Sequence, residues 1–86
     1  MDIEWLPHAR ERLRERGIHE SLVLQVLREP QQVLGRGVHK VFQRRSVDMA
    51  RQKEYVVRVF VEGHPGVMVV RSVYRTSKIH KYWRMP

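Results

Sequence analysis

Apolar residues along the chain keep a helical spacing at first and then change to strict alternation. Residues 3–6 open with a short apolar run that reads either as an edge strand or as the lead-in to a helix. Pro7 suits a first helical turn, where its missing N–H costs nothing. Residues 7–16 are mostly Arg, Glu, Leu and Ala, all good helix formers, with Ala9 and Leu13 as the apolar positions. Gly17 fits the left-handed position that closes a helix, and Ile18 then packs back. His19 caps a second helix, with Glu20 favourable in its first turn. Leu22, Val23, Val26 and Leu27 form its apolar stripe, and Pro30 ends it. Two helices joined by Gly17-Ile18-His19 make a helical hairpin.

From residue 32 the period is two. Strands are expected at 32–34, 39–46, 54–62 and 67–75, with a Gly35-Arg36-Gly37 turn and a polar loop over 47–53. Gly63-His64-Pro65-Gly66 has the composition of a type II turn, so the last two strands form a hairpin. In the third strand Tyr55, Val57, Val59 and Val61 share one face, and Val56, Arg58 and Phe60 share the other. In the fourth, alternation puts Val67, Val69, Arg71, Val73 and Arg75 on one face and Ser72 and Tyr74 on the other. The expected architecture is therefore α+β. An N-terminal helical hairpin packs on a small antiparallel sheet of about four strands, as one domain over 1–86. A chain of 86 residues has room for a single core.

Composition narrows the setting. There is no cysteine, so a disulfide framework and a thiolate metal site are both excluded. No apolar run approaches the roughly 20 residues a membrane-spanning helix needs. The opening Met-Asp-Ile-Glu-Trp is acidic, unlike a signal peptide. These features point to a cytoplasmic protein without a membrane partner.

Charge changes the picture more. Residues 1–31 carry a net −1 and residues 32–86 a net +9, and from Arg71 onward there are five basic residues and no acid. A local positive field of this kind attracts polyanions. In the closing stretch basic residues alternate with Tyr74, Tyr82 and Trp83. Bases can stack on such rings while Lys and Arg follow phosphates. Tyr82 and Trp83 serve equally well as cover for a sheet face. In the first helix His8, Arg12 and Arg16 recur at i, i+4 and i+8 and line one side. Either Arg12 and Arg16 bind backbone carbonyls at strand ends, or one of them faces a cleft and receives a phosphate, for which the planar fork of Arg is suited. His8 beside them is then a proton carrier. The five histidines are scattered, so neither a metal nor a cofactor is expected. His, Arg, Lys and Tyr suffice for metal-independent RNA cleavage, because the RNA supplies its own 2′-hydroxyl nucleophile.

The run from Pro7 to Ile18 resembles the helix signature of the family known as domain of unknown function 4258, in which His-Ala is followed by Arg-Met and Glu-Arg-Gly-Ile. Here Leu13 stands where methionine is common. Pro30 and the run from Val73 to Ile79 also look like that family. The resemblance implies a RelE-like toxin fold of the barnase–colicin–RelE type, and an endoribonuclease of a toxin–antitoxin pair. Carried over by position, it points to His8, Arg12, Arg16, Arg71, Tyr74 and Lys78. The catalytic expectation is thus His8, Arg12, Arg71, Tyr74 and Lys78. The nucleic-acid-binding expectation is Arg16, Arg75, His80, Lys81 and Tyr82. The expected partners are RNA, on or off the ribosome, and an acidic antitoxin. Two competing expectations are a non-catalytic nucleic-acid-binding module and a partner-binding protein, for instance a homodimer formed through an exposed edge strand.

Overall fold

A computed structural model describes residues 2–85. In chain order the elements are β1 (Asp2–Trp5), α1 (Pro7–Arg16), α2 (Glu20–Arg28), β2 (Gln32–Arg36), β3 (His39–Asp48), β4 (Lys53–His64), β5 (Val67–Thr76) and α3 (Ile79–Tyr82). The helical boundaries follow the local chemistry. Pro7 opens α1, and Gly17 closes it at φ 64°, a left-handed conformation that glycine adopts without strain. The Ile18 N–H then reaches back to the Leu13 carbonyl at 3.0 Å, and its side chain enters the core.

The expected four-stranded antiparallel sheet under an N-terminal hairpin is corrected here. The sheet has five strands in the order β1-β5-β4-β3-β2, and it is mixed. β1 runs parallel to β5, with Ile3 opposite Met68 and Trp5 opposite Val70. Three short helices accompany the sheet, the third at its C-terminal end. The four residues Asp-Ile-Glu-Trp alternate as a strand should. Their partner lies more than sixty positions away, so nothing local distinguishes a strand from a lead-in. Among the described residues, no helix is long and apolar enough to cross a membrane.

One face of the sheet carries the core. Ala9, Leu13, Ile18, Val23, Val26 and Leu27 from the helices meet Val57, Val59, Val61, Val70 and Val73 from the two central strands. Valine fits this role twice over, stiff enough for a strand and apolar enough for a buried face.

β5 departs from simple alternation. Val59 opposes Val73 and Phe60 opposes Ser72, but Val61 opposes Val70. Arg71 is thus the extra residue of a β-bulge. The expected shared face of Val67, Val69, Arg71, Val73 and Arg75 is broken at this point. Val73 and Arg75 stay with the helices. Val70 takes the core position that strict alternation would have assigned elsewhere. The apparent conflict between buried valines and arginines on one face disappears, because the bulge separates them.

Candidate nucleic-acid interface

The other face of the sheet has a different chemistry. The pairing registers place Gln32 opposite Gln43, Gln43 opposite Arg58, and Arg58 opposite Tyr74, so four polar side chains form one row across four strands. Arg58 Nε donates to Gln43 Oε1 at 2.8 Å, and its Nη1 donates to the Tyr74 hydroxyl. An arginine can only donate, so the Gln43 oxygen must face it. The Gln43 amide nitrogen therefore faces the other way and donates to Gln32 Oε1 at 2.8 Å and to the Tyr82 carbonyl at 3.1 Å. Gln43 is fully buried, and its amide is fully used.

This row fastens the tail. Gln32 accepts the Arg84 N–H at 3.0 Å and donates to the Arg84 carbonyl. Together with the bond from Gln43 to Tyr82, these contacts lay α3 and the residues after it across the sheet. Val56 is fully buried on this face. Trp83 sits 5.1 Å from the Arg45 guanidinium, and Arg45 also pairs with Glu54 at 3.1 Å. The tail is both sheet cover and part of the cationic surface.

Arg58 is the centre of the arrangement. Its guanidinium carbon lies 4.4 Å from the Tyr82 ring centre, 5.3 Å from Phe60 and 5.6 Å from Tyr74. Phe60 and Tyr74 stack at 5.6 Å, and Tyr82 meets Tyr74 edge-on at 6.0 Å. Every carboxylate ion pair among the described residues belongs to another cation. Arg58 is thus a half-buried cation held by neutral groups, with unused N–H capacity on its second terminal nitrogen. The Tyr82 phenol is held below the ordinary tyrosine range, first by the neighbouring Tyr74 hydroxyl. Desolvation opposes this, while Lys81 and the Arg58 charge add to it. Lys81 Nζ stands 5.3 Å from the Tyr82 ring.

The residues singled out from the sequence do not all gather here. Tyr74, Tyr82 and Lys81 belong to the Arg58 cluster, with Lys78 and His80 exposed beside them on the tail. Arg71 swings out at the bulge and pairs with Glu62 at 3.5 Å. Glu62 lies on the same face as Arg58, four positions along β4, roughly 13 Å away. Arg75 faces the helix side, over the Tyr55 ring at 5.4 Å. Arg16 donates to the Val73 backbone carbonyl. His8 is exposed on α1 and 3.5 Å from Glu11, and Arg12 is exposed on the same helix. The sheet separates His8 and Arg12 from the Arg58 cluster. A cleft of about 370 Å³ at the turn end of the sheet, lined by Lys40, Phe42, Val61, His64 and Met68, is also away from the cluster.

Sequence reasoning missed Arg58, Gln43 and Gln32. One signal was present: Arg58 interrupts the valine-rich run from Val56 to Val61, whereas Gln43 sits among the polar residues of β3 and has no such mark. Only the pairing register shows that they adjoin.

The family model described as a domain of unknown function (DUF4258) matches residues 5–80. The chain belongs to that family. No curated protein and no solved structure matches it. The matched region contains Gln43, Arg58 and Tyr74 and stops just before Lys81 and Tyr82, so the family match covers the sheet row but not the ring laid over it.

Proposed function

We propose that this DUF4258 protein binds RNA across the open face of its sheet and cleaves it there without a metal, as the cytoplasmic toxin of a toxin–antitoxin pair. The observation that carries this reading is Arg58, a half-buried guanidinium with no carboxylate, ringed by three aromatic side chains in a chain of net charge +8. A phosphodiester fits its unused N–H groups, and a neighbouring base fits against Tyr74 or Tyr82. In the reaction, the Tyr82 oxygen takes the proton of the 2′-hydroxyl. The freed 2′-oxygen of the RNA attacks the adjacent phosphorus, and the bond from phosphorus to the 5′-oxygen breaks. The leaving oxygen receives a proton from Lys81 or Lys78. Arg58 faces the charge that grows on the phosphoryl oxygens. The products are a 2′,3′-cyclic phosphate and a 5′-hydroxyl. His8 and Arg12, in the helix layer, take no part in this step. The net +9 half of the chain is the surface an acidic antitoxin segment would neutralise.

A non-catalytic RNA-binding role is the second reading, favoured by the exposure of His8, the candidate proton carrier, on the far side of the sheet. Purified protein incubated in chelator with a mixed-sequence RNA and the matching DNA separates the two. Cleavage of RNA alone, with 2′,3′-cyclic phosphate ends and its loss in Arg58→Ala, is the expected result. Full cleavage by a folded Arg58→Ala protein excludes the assignment. Salt-sensitive binding without product selects the second reading.

A further inference from the structure

Gln43 occupies a position where a glutamate would be the ordinary choice. It is fully buried, it faces the half-buried Arg58, and a cation drawn into a protein is usually matched by a carboxylate. A glutamine satisfies the same N–H of Arg58 without cancelling its charge. It also supplies what a carboxylate cannot, two donor hydrogens, which go to Gln32 and to the carbonyl of Tyr82. Gln32 completes the fastening at Arg84.

We propose that Gln43, assisted by Gln32, is the positioning residue of the site: it fastens the tail so that the Tyr82 ring lies on Arg58, and as a neutral amide it leaves the guanidinium charge to an RNA phosphate. The second half rests on the RNA reading above, and the first half does not. Neither glutamine touches the RNA, so their effects pass through Tyr82 and Arg58. The groups facing the Tyr82 phenol are Tyr74 from β5, Arg58 from β4 and Lys81 from α3. Its ionisation therefore reports whether the tail is seated.

Two variants separate fastening from charge. Gln43→Glu keeps the acceptor for Arg58, neutralises its charge and removes the donors to the tail. RNA affinity should fall about tenfold, the size of one lost contact to a charged group, and the salt slope of binding should drop by about one. Gln32→Ala loosens the tail and leaves Arg58 charged. It should leave the salt slope unchanged, shift Trp83 emission toward that of a solvated indole, and move the Tyr82 ionisation seen by phenolate absorbance to higher pH, assigned with Tyr82→Phe. Gln32 is only half-buried, so this variant keeps the test open if Gln43→Glu fails to fold. A Tyr82 ionisation unmoved in both variants overturns the positioning role. An unchanged salt slope in folded Gln43→Glu overturns the charge argument. If the Tyr82 ionisation moves as expected but the wild-type chain binds no RNA, the RNA reading has failed and the fastening stands.

Discussion

The two faces of this sheet are made from alternate residues of the same strands, yet they are closed by opposite means. Toward α1 and α2, β4 presents Val57, Val59 and Val61, which lie buried in an apolar cluster, with Arg16 and Arg75 at its margin. Toward α3, the same strand presents Val56, Arg58 and Phe60, and a helix of four residues is held by amide and carbonyl bonds. An apolar face is non-directional and tolerates sliding. A hydrogen-bonded row sets one register and leaves a cation at the surface. The first kind of closure makes the domain stable, and the second makes one spot on it chemically specific. Substitutions one position apart on β4 should therefore give different phenotypes.

The largest effect is expected at Val59. Val59→Asp puts an unpaired carboxylate into the buried face, where such changes exceed about 4 kcal/mol. The variant should be unfolded or nearly so by circular dichroism. A cooperative, near-wild-type transition would mean that this face is not the core. Next comes Leu13, which α1 drives into the same cluster. Leu13→Ala should cost about 3 kcal/mol, within the range for truncating a buried leucine, read from urea denaturation.

One position from Val59, Arg58 should behave otherwise. Arg58→Ala strands the Gln43 oxygen, a penalty of about 1–3 kcal/mol, so the fold should persist while the response to RNA is lost. Arg58→Lys retains the charge but not the fork and should fall between the two in RNA affinity. Equal RNA affinity in all three proteins would show that this face receives no phosphate.

How far these faces were legible in the sequence differs with the kind of signal. The sides of β4 were legible because alternation in an uninterrupted strand needs no partner to read. The end of α1 was legible because Pro7, Gly17 and Ile18 act within one turn of the chain. Strand β1 was half legible, since its pattern is right but its parallel partner is remote. The bulge at Arg71 was not legible at all. An extra residue in a strand has no local mark, and it reversed the assigned sides of Val67 and Val69. Helix α3 is too short for periodicity to show. The cluster was legible only in part: Tyr74, Tyr82 and Lys81 stand out in a basic, aromatic tail. Arg58 in a valine-rich strand reads as an ordinary solvent-facing residue until Gln43 and Tyr74 are known to lie on either side of it.

The smallest expected effect is a pH dependence on the open face. Tyr82 has its folded pKa lowered, with Tyr74 the main cause, against an unfolded value near ~10. The folded chain therefore favours the phenolate more than the unfolded chain does. The stability this gives is fully present above the unfolded pKa and is lost as pH falls through the lower folded value. Relative to Tyr82→Phe, the wild-type chain should gain stability between neutral pH and about pH 10, and the gain should be small because the tail is solvated. Urea midpoints of the two proteins at both ends of that window give the answer. A gap that widens toward alkaline pH places the phenolate in the folded cluster. A constant gap means that the Tyr82 oxygen feels solvent alone, which would also remove it as the proton acceptor in RNA cleavage while leaving the Val59 side of the comparison untouched.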